Sequence, residues 1–157
     1  TMPESVTYRV EEGIAHIVIS RRSERNALNR ATVAGLQECF HQASTSEDVR
    51  VVLFSGEGDE AFCAGADLKE LAMCQQDAGE LQRFFRSIAS LIESILRCPR
   101  PVIAKVHGFA VAGGCGLAAA SDIVLASDDA SFALPEIKLG IVPMIVMAPL
   151  SRSIGAK

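Results

Sequence analysis

The fold class this sequence predicts is α/β, and two observations predict it. Residues 49–55 and 102–106 are continuous apolar runs, as expected of strands buried on both faces. Around them lie longer stretches whose apolar residues recur at helical spacing. Helices alternating with buried strands argue for a sheet covered by helices.

Taken in order, residues 6–10 and 14–20 read as two strands, with Glu11-Glu12-Gly13 between them as a hairpin signal. A loop covers residues 21–28. Asn29 offers a cap for a helix over residues 30–43, with Val33, Leu36, Phe40 and Ala43 on one face. The strand at 49–55 is broken by the turn residues 56–59. Residues 61–68, Ala-Phe-Cys-Ala-Gly-Ala-Asp-Leu, form a turn of small residues leading into a short helix. Residues 80–97 predict a long amphipathic helix with Leu81, Phe84, Phe85, Ile88, Leu91, Ile92 and Ile95 inward, ended by Pro99. After the strand at 102–106, the glycine-rich stretch 108–116 opens a helix that runs through Ala120. Short strands follow at 123–126 and 131–133, then a loop holding Glu136, then the apolar residues 141–150.

The 157 residues predict one domain over 1–157, long enough to bury a core. With 49% hydrophobic and 22% charged residues the chain belongs to the soluble globular class. The net charge of -4 and the lack of a basic cluster exclude nucleic acid as an expected partner. The apolar run at 141–150 is far shorter than a membrane span and carries prolines, so no membrane partner is expected. Thr1 precedes Met2, which reads as the natural start, and residues 3–9 are polar, so no secretory signal is expected. The expected compartment is the cytoplasm, with the mitochondrial matrix, after removal of a transit peptide, as the alternative. The five cysteines are odd in number and never spaced as C-x-x-C, which reads as buried free thiols. The three histidines are scattered, so no metal site is expected. An apolar, helix-like segment just before Lys157 suggests a piece of a longer chain.

Six motifs occur in order: Glu24-Arg25-Asn26-Ala27-Leu28, residues 61–68, Pro101-Val102-Ile103-Ala104, Ala112-Gly113-Gly114-Cys115, Ser121-Asp122-Ile123, and residues 132–140. Together they resemble the crotonase (enoyl-CoA hydratase/isomerase) superfamily from about Val6 onward. The resemblance implies a spiral of ββα units assembled as a homotrimer or a dimer of trimers. It also implies a C-terminal helical region of about a hundred residues that this chain lacks. The implied substrate is an acyl-CoA thioester, with coenzyme A as part of the substrate and no bound cofactor.

Chemistry on such a thioester needs donors aimed at its carbonyl oxygen, where negative charge develops. By resemblance these are the N–H groups of Ala64 and Gly113. Small residues at Ala64-Gly65-Ala66 let a ligand lie against the backbone, and Gly113-Gly114 opens a predicted helix whose first N–H groups are unpaired. Family hydratases usually carry two glutamates. The second aligns with Glu136, and the first falls on Gly116. Glu136 is followed by Ile137, Leu139, Ile141, Val142, Met144 and Ile145, expected to wall the site. Arg25, Ala27, Ala66, Asp67 and Leu68 match positions along the coenzyme A path, with Arg25 supplying charge for phosphate. His107 and Asp122 read as structural. A single glutamate suits Δ3,Δ2-enoyl-CoA isomerisation. The alternatives are hydration of a branched 2-enoyl-CoA and a catalytically weak acyl-CoA-binding module.

Overall fold

A computed structural model describes residues 3–74, 77–140 and 142–154. β1 (Val6–Glu11) and β2 (Ile14–Ile19) form the expected antiparallel hairpin, and α1 (Arg30–Thr45) follows. The rest of the chain repeats one unit. β3 (Val51–Gly56) and β4 (Ala61–Cys63) lead to α2 (Leu68–Cys74) and α3 (Ala78–Leu96). β5 (Val102–Val106) and β6 (Phe109–Val111) lead to α4 (Gly113–Ala120). β7 (Ile123–Ala126) and β8 (Ser131–Ala133) lead to a 3-10 helix (Pro135–Leu139) and α5 (Met144–Ile154).

In each unit the first strand joins one sheet and the second joins another. The larger sheet has the order β1-β2-β3-β5-β7 and the smaller β4-β6-β8. Every pairing after the hairpin is parallel. The chain therefore advances one strand in both sheets with every turn, which is the predicted spiral of ββα units.

The core lies where α1 and α3 cover the larger sheet. Phe40 of α1 meets Phe54 of β3 edge-to-face at 5.5 Å, and Phe54 meets Phe62 of β4 at 5.2 Å. All three rings are fully buried. Asn29 caps α1 as expected, its Oδ1 accepting from the Thr32 N–H at 2.8 Å. α3 starts two residues earlier than its apolar stripe suggests. Asp77 caps it, accepting from the N–H groups of Gly79 and Glu80 at 2.8 and 3.2 Å.

β3 departs from expectation in its burial. Only alternate residues, Val52, Phe54 and Gly56, are buried, because the opposite face is only partly covered. β7 and β8 are exposed along their whole lengths, each at the outer end of its sheet. Residues 61–63, expected within a turn, form β4, and Glu136 sits in the 3-10 helix rather than an open loop. Asp122 caps a strand, accepting from the Val102 N–H at 2.8 Å. None of the five cysteines forms a disulfide. No helix among the described residues is long and apolar enough to cross a membrane, and these residues contain no metal-binding cluster.

Candidate active site

The three motifs that carry the expected chemistry follow β4, β6 and β8 in turn. These strands are adjacent and parallel, so their carboxyl ends lie side by side. Sites in α/β folds form at such ends, where the loops leaving neighbouring strands converge.

The loop after β4 runs beside residues 25–28. Ala64 donates its N–H to the Arg25 carbonyl at 3.0 Å, Leu28 to the Gly65 carbonyl at 2.7 Å, and Asp67 to the Leu28 carbonyl at 2.9 Å. This ladder corrects the expectation for Ala64, whose N–H is consumed inside the protein. It also identifies the available neighbour. In a parallel pairing the residue directly opposite turns its own N–H away. Ala66 is opposite Leu28, and its N–H has no acceptor among the described residues. Sequence alone separates these two alanines poorly, because which one is free depends on pairing with a segment some forty positions away.

The loop after β6 supplies Gly113, the first residue of α4. Its N–H likewise finds no acceptor among the described residues, as expected at a helix N-terminus. The two loops touch. A Cβ on Gly65 would lie 2.8 Å from the Ala112 Cβ, 2.9 Å from the Val111 carbonyl and 3.2 Å from the Gly113 nitrogen. Gly65 also has φ 84°, so glycine is required twice over. Gly114 packs as closely: a Cβ there would lie 2.1 Å from the Cys63 carbonyl oxygen. Between these glycines Ala112 adopts φ 51° and ψ -122°, a strained conformation for a residue with a side chain. Its N–H is held by the Ala133 carbonyl at the end of β8, at 2.9 Å.

The loop after β8 supplies Glu136. Its Oε2 is buried and has no hydrogen-bond partner among the described residues. A buried carboxylate oxygen left unpaired is rare in a structural role. The carboxylate is near Cys115 in the first turn of α4. Burial, and then the negative charge of Glu136, push the Cys115 thiol up.

The apolar wall differs from the expected one. Ile137, Val142 and Met144 point largely to solvent, Ile145 is half-buried against the core, and Ile141 and the Leu139 side chain lie outside the described residues. The wall beside the donors comes instead from Leu28 and Ile88, 3.6 and 3.9 Å from a Cβ placed on Gly113. Beside Gly116 it comes from Ile92 and Val146, at 3.0 and 3.2 Å.

The profile of the enoyl-CoA hydratase/isomerase family matches residues 9–157. The chain belongs to this family. Human enoyl-CoA hydratase domain-containing protein 3, mitochondrial, is 36% identical over 155 residues, covering 99% of this chain and 50% of that protein. The crotonyl-CoA hydratase of Syntrophomonas wolfei is 34% identical over 141 residues, covering 89% and 53%. The crystal structure of an enoyl-CoA hydratase from Bacillus anthracis superposes with a TM-score of 0.92 at 32% identity, covering 98% of this chain and 59% of that one. The chain thus spans about half the length of the curated relatives it matches.

Of the five residues expected along the family's coenzyme A path, four lie on the two zipped segments and Leu68 opens α2 just beyond them. Their side chains are engaged to different degrees. The Nε of Arg25 is held by Glu60 at 2.5 Å on the surface, Ala27 is buried, and Leu68 is largely exposed. Asp67 is buried and paired with Arg21 at 2.8 Å, so its role is to hold the loop. Arg21 also donates to the Ala27 carbonyl at 2.6 Å. Asn26, buried and at φ 56°, donates to the carbonyls of Glu57 and Ala61 and accepts from the Arg21 N–H. Sequence reasoning gave neither Arg21 nor Asn26 a role. Asn26 stands inside a family motif and has a side chain suited to left-handed backbone, which is the signal that marks it. A separate open cleft of about 770 Å³, lined by Glu4, Arg21, Arg22, Glu24 and Glu60 among others, contains neither Glu136 nor the two free N–H groups.

Proposed function

We propose that the protein acts on an acyl-CoA thioester through an enolate. In this reading the N–H groups of Ala66 and Gly113 hold the thioester oxygen and Glu136 is the single acid–base group. The observation that carries it is the buried Glu136 Oε2, unpaired among the described residues, in the 3-10 helix after β8, whose sheet also holds the strands that lead to the two N–H groups. Coenzyme A would lie along residues 25–28 and 66–68, bound largely through the backbone.

The preferred reaction is Δ3,Δ2-enoyl-CoA isomerisation. Glu136 takes a proton from C2 of a 3-enoyl thioester, and the electron pair moves into a dienolate whose charge rests on the carbonyl oxygen. The same carboxyl returns the proton at C4 as the double bond moves to C2–C3. Hydration asks for more, because a water must be held and activated while C2 receives a proton. Position 116 offers no carboxyl, and the adjoining space is taken by Ile92 and Val146.

A panel of 2-enoyl- and 3-enoyl-CoA thioesters tests this, read by absorbance and mass. Isomerisation leaves the mass unchanged, whereas strong addition of water to a 2-enoyl thioester would overturn the preference. Glu136→Gln is expected to abolish turnover while thioester binding persists. Full activity in that variant would remove Glu136 from the site.

A further inference from the structure

Arg30, the first residue of α1, makes contacts that neither its exposure nor the capping of α1 requires. Its Nη2 donates to Glu80 Oε2 of α3 at 2.6 Å and to the Cys74 sulfur at the end of α2 at 3.2 Å. Its Nε lies 3.6 Å from Glu70 Oε1 of α2, and its backbone N–H donates to the other oxygen of Glu70 at 2.9 Å. The guanidinium also sits 5.8 Å from the centre of the buried Phe84 ring of α3. One cation thus joins carboxylates from two different helices, Glu70 of α2 and Glu80 of α3, the latter also paired with Arg83 of α3 itself.

Those helices bear on the site. α2 begins two residues after Ala66, and α3 carries Ile88 and Ile92, the residues that wall the Gly113 and Gly116 positions. We propose that Arg30 is a positioning residue for the acyl chain. It ties α2 and the first half of α3 to the start of α1, and so sets the gap between the α3 wall and the Gly113 donor. This rests on the reading that Gly113 holds the thioester carbonyl, because the acyl carbons next to that carbonyl then pass along Ile88 and Ile92.

The test uses Arg30→Met, which keeps an apolar stem near Phe84 and removes the charge, and Arg30→Lys, which keeps the charge without the fork. The measurements are KM and kcat with 3-hexenoyl-CoA and 3-dodecenoyl-CoA, together with amide hydrogen exchange over residues 68–74 and 78–88. Arg30→Met is expected to raise KM for the longer thioester about three- to tenfold, with a smaller rise for the shorter one and little change in kcat. Arg30→Lys should recover part of the loss, and about 1 M salt should move the wild type toward the variant. Exchange over the two helices should quicken in Arg30→Met. Equal KM changes for both chain lengths would reduce Arg30 to a structural role and overturn the proposal. If the wild type turns over neither thioester, the functional reading fails by itself. Exchange then decides the clasp: unchanged rates in Arg30→Met would overturn it.

Discussion

Ala64 and Ala66 are chemically identical and two positions apart, yet one N–H is committed to Arg25 and the other has no acceptor among the described residues. The difference depends on the intervening Gly65, whose left-handed backbone turns the chain between them. Gly65→Ala would force a Cβ to within 3 Å of both the Ala112 side chain and the Val111 carbonyl. The Ala66 N–H should shift away from Gly113, and turnover should fall by about a hundredfold or more, the usual effect of losing one such donor. A steady-state assay on folded variant checks this, and unchanged turnover would place the donors elsewhere. At this scale the sequence was legible where chemistry depends on residue type. Glu136 is a carboxylate wherever it sits, and Gly113 follows from the glycines that open α4. It was less legible where chemistry depends on which backbone group stays unpaired, because that is fixed by the ladder between residues 25–28 and 64–67.

Among the elements, the loop after β2 and the loop after β4 are held together by the partly buried Arg21–Asp67 pair. Burial alone would push the Asp67 carboxyl up. The hydrogen bond and charge of Arg21, with the N–H groups of Lys69 and Glu70, outweigh it and hold the carboxyl below its ordinary 3.8. The folded chain therefore takes up this proton less readily than the unfolded chain. The resulting stability is fully present above that ordinary value and is lost as pH falls through the lower folded one. Asp67→Asn should destabilise the protein by about 3 kcal/mol near neutral pH and flatten this acid limb. Denaturant titrations across the acid range measure both effects, and an unchanged limb would show that the pair contributes nothing there. Apolar periodicity and caps made most elements readable, including α1, α3 and the hairpin. The start of α3 and the existence of β4 were not, since the first depends on the Asp77 cap and the second on pairing with β6.

At the scale of the whole molecule, the last turn of the spiral is its least covered part. Ile123 and Leu125 of β7, Phe132 of β8, and Val142, Met144 and Ile154 around α5 are all substantially exposed. Edge strands and apolar surface of this kind favour self-association. The chain as it stands should associate with rising concentration in sedimentation velocity runs, and Leu125→Lys with Met144→Lys should reduce the effect. A concentration-independent monomer would count against it. The spiral also bears on how such a protein can change over time. In the proposed reading each turn contributes one group to the site, and two of the three are main-chain N–H groups that most point mutations cannot delete. On that reading, substitutions at the ends of α4 or β8 would alter which proton moves, or whether water takes part, while the capacity to bear charge on an oxygen would persist. Inherited in this way, the fold keeps one half of its chemistry fixed and leaves the other half open to drift.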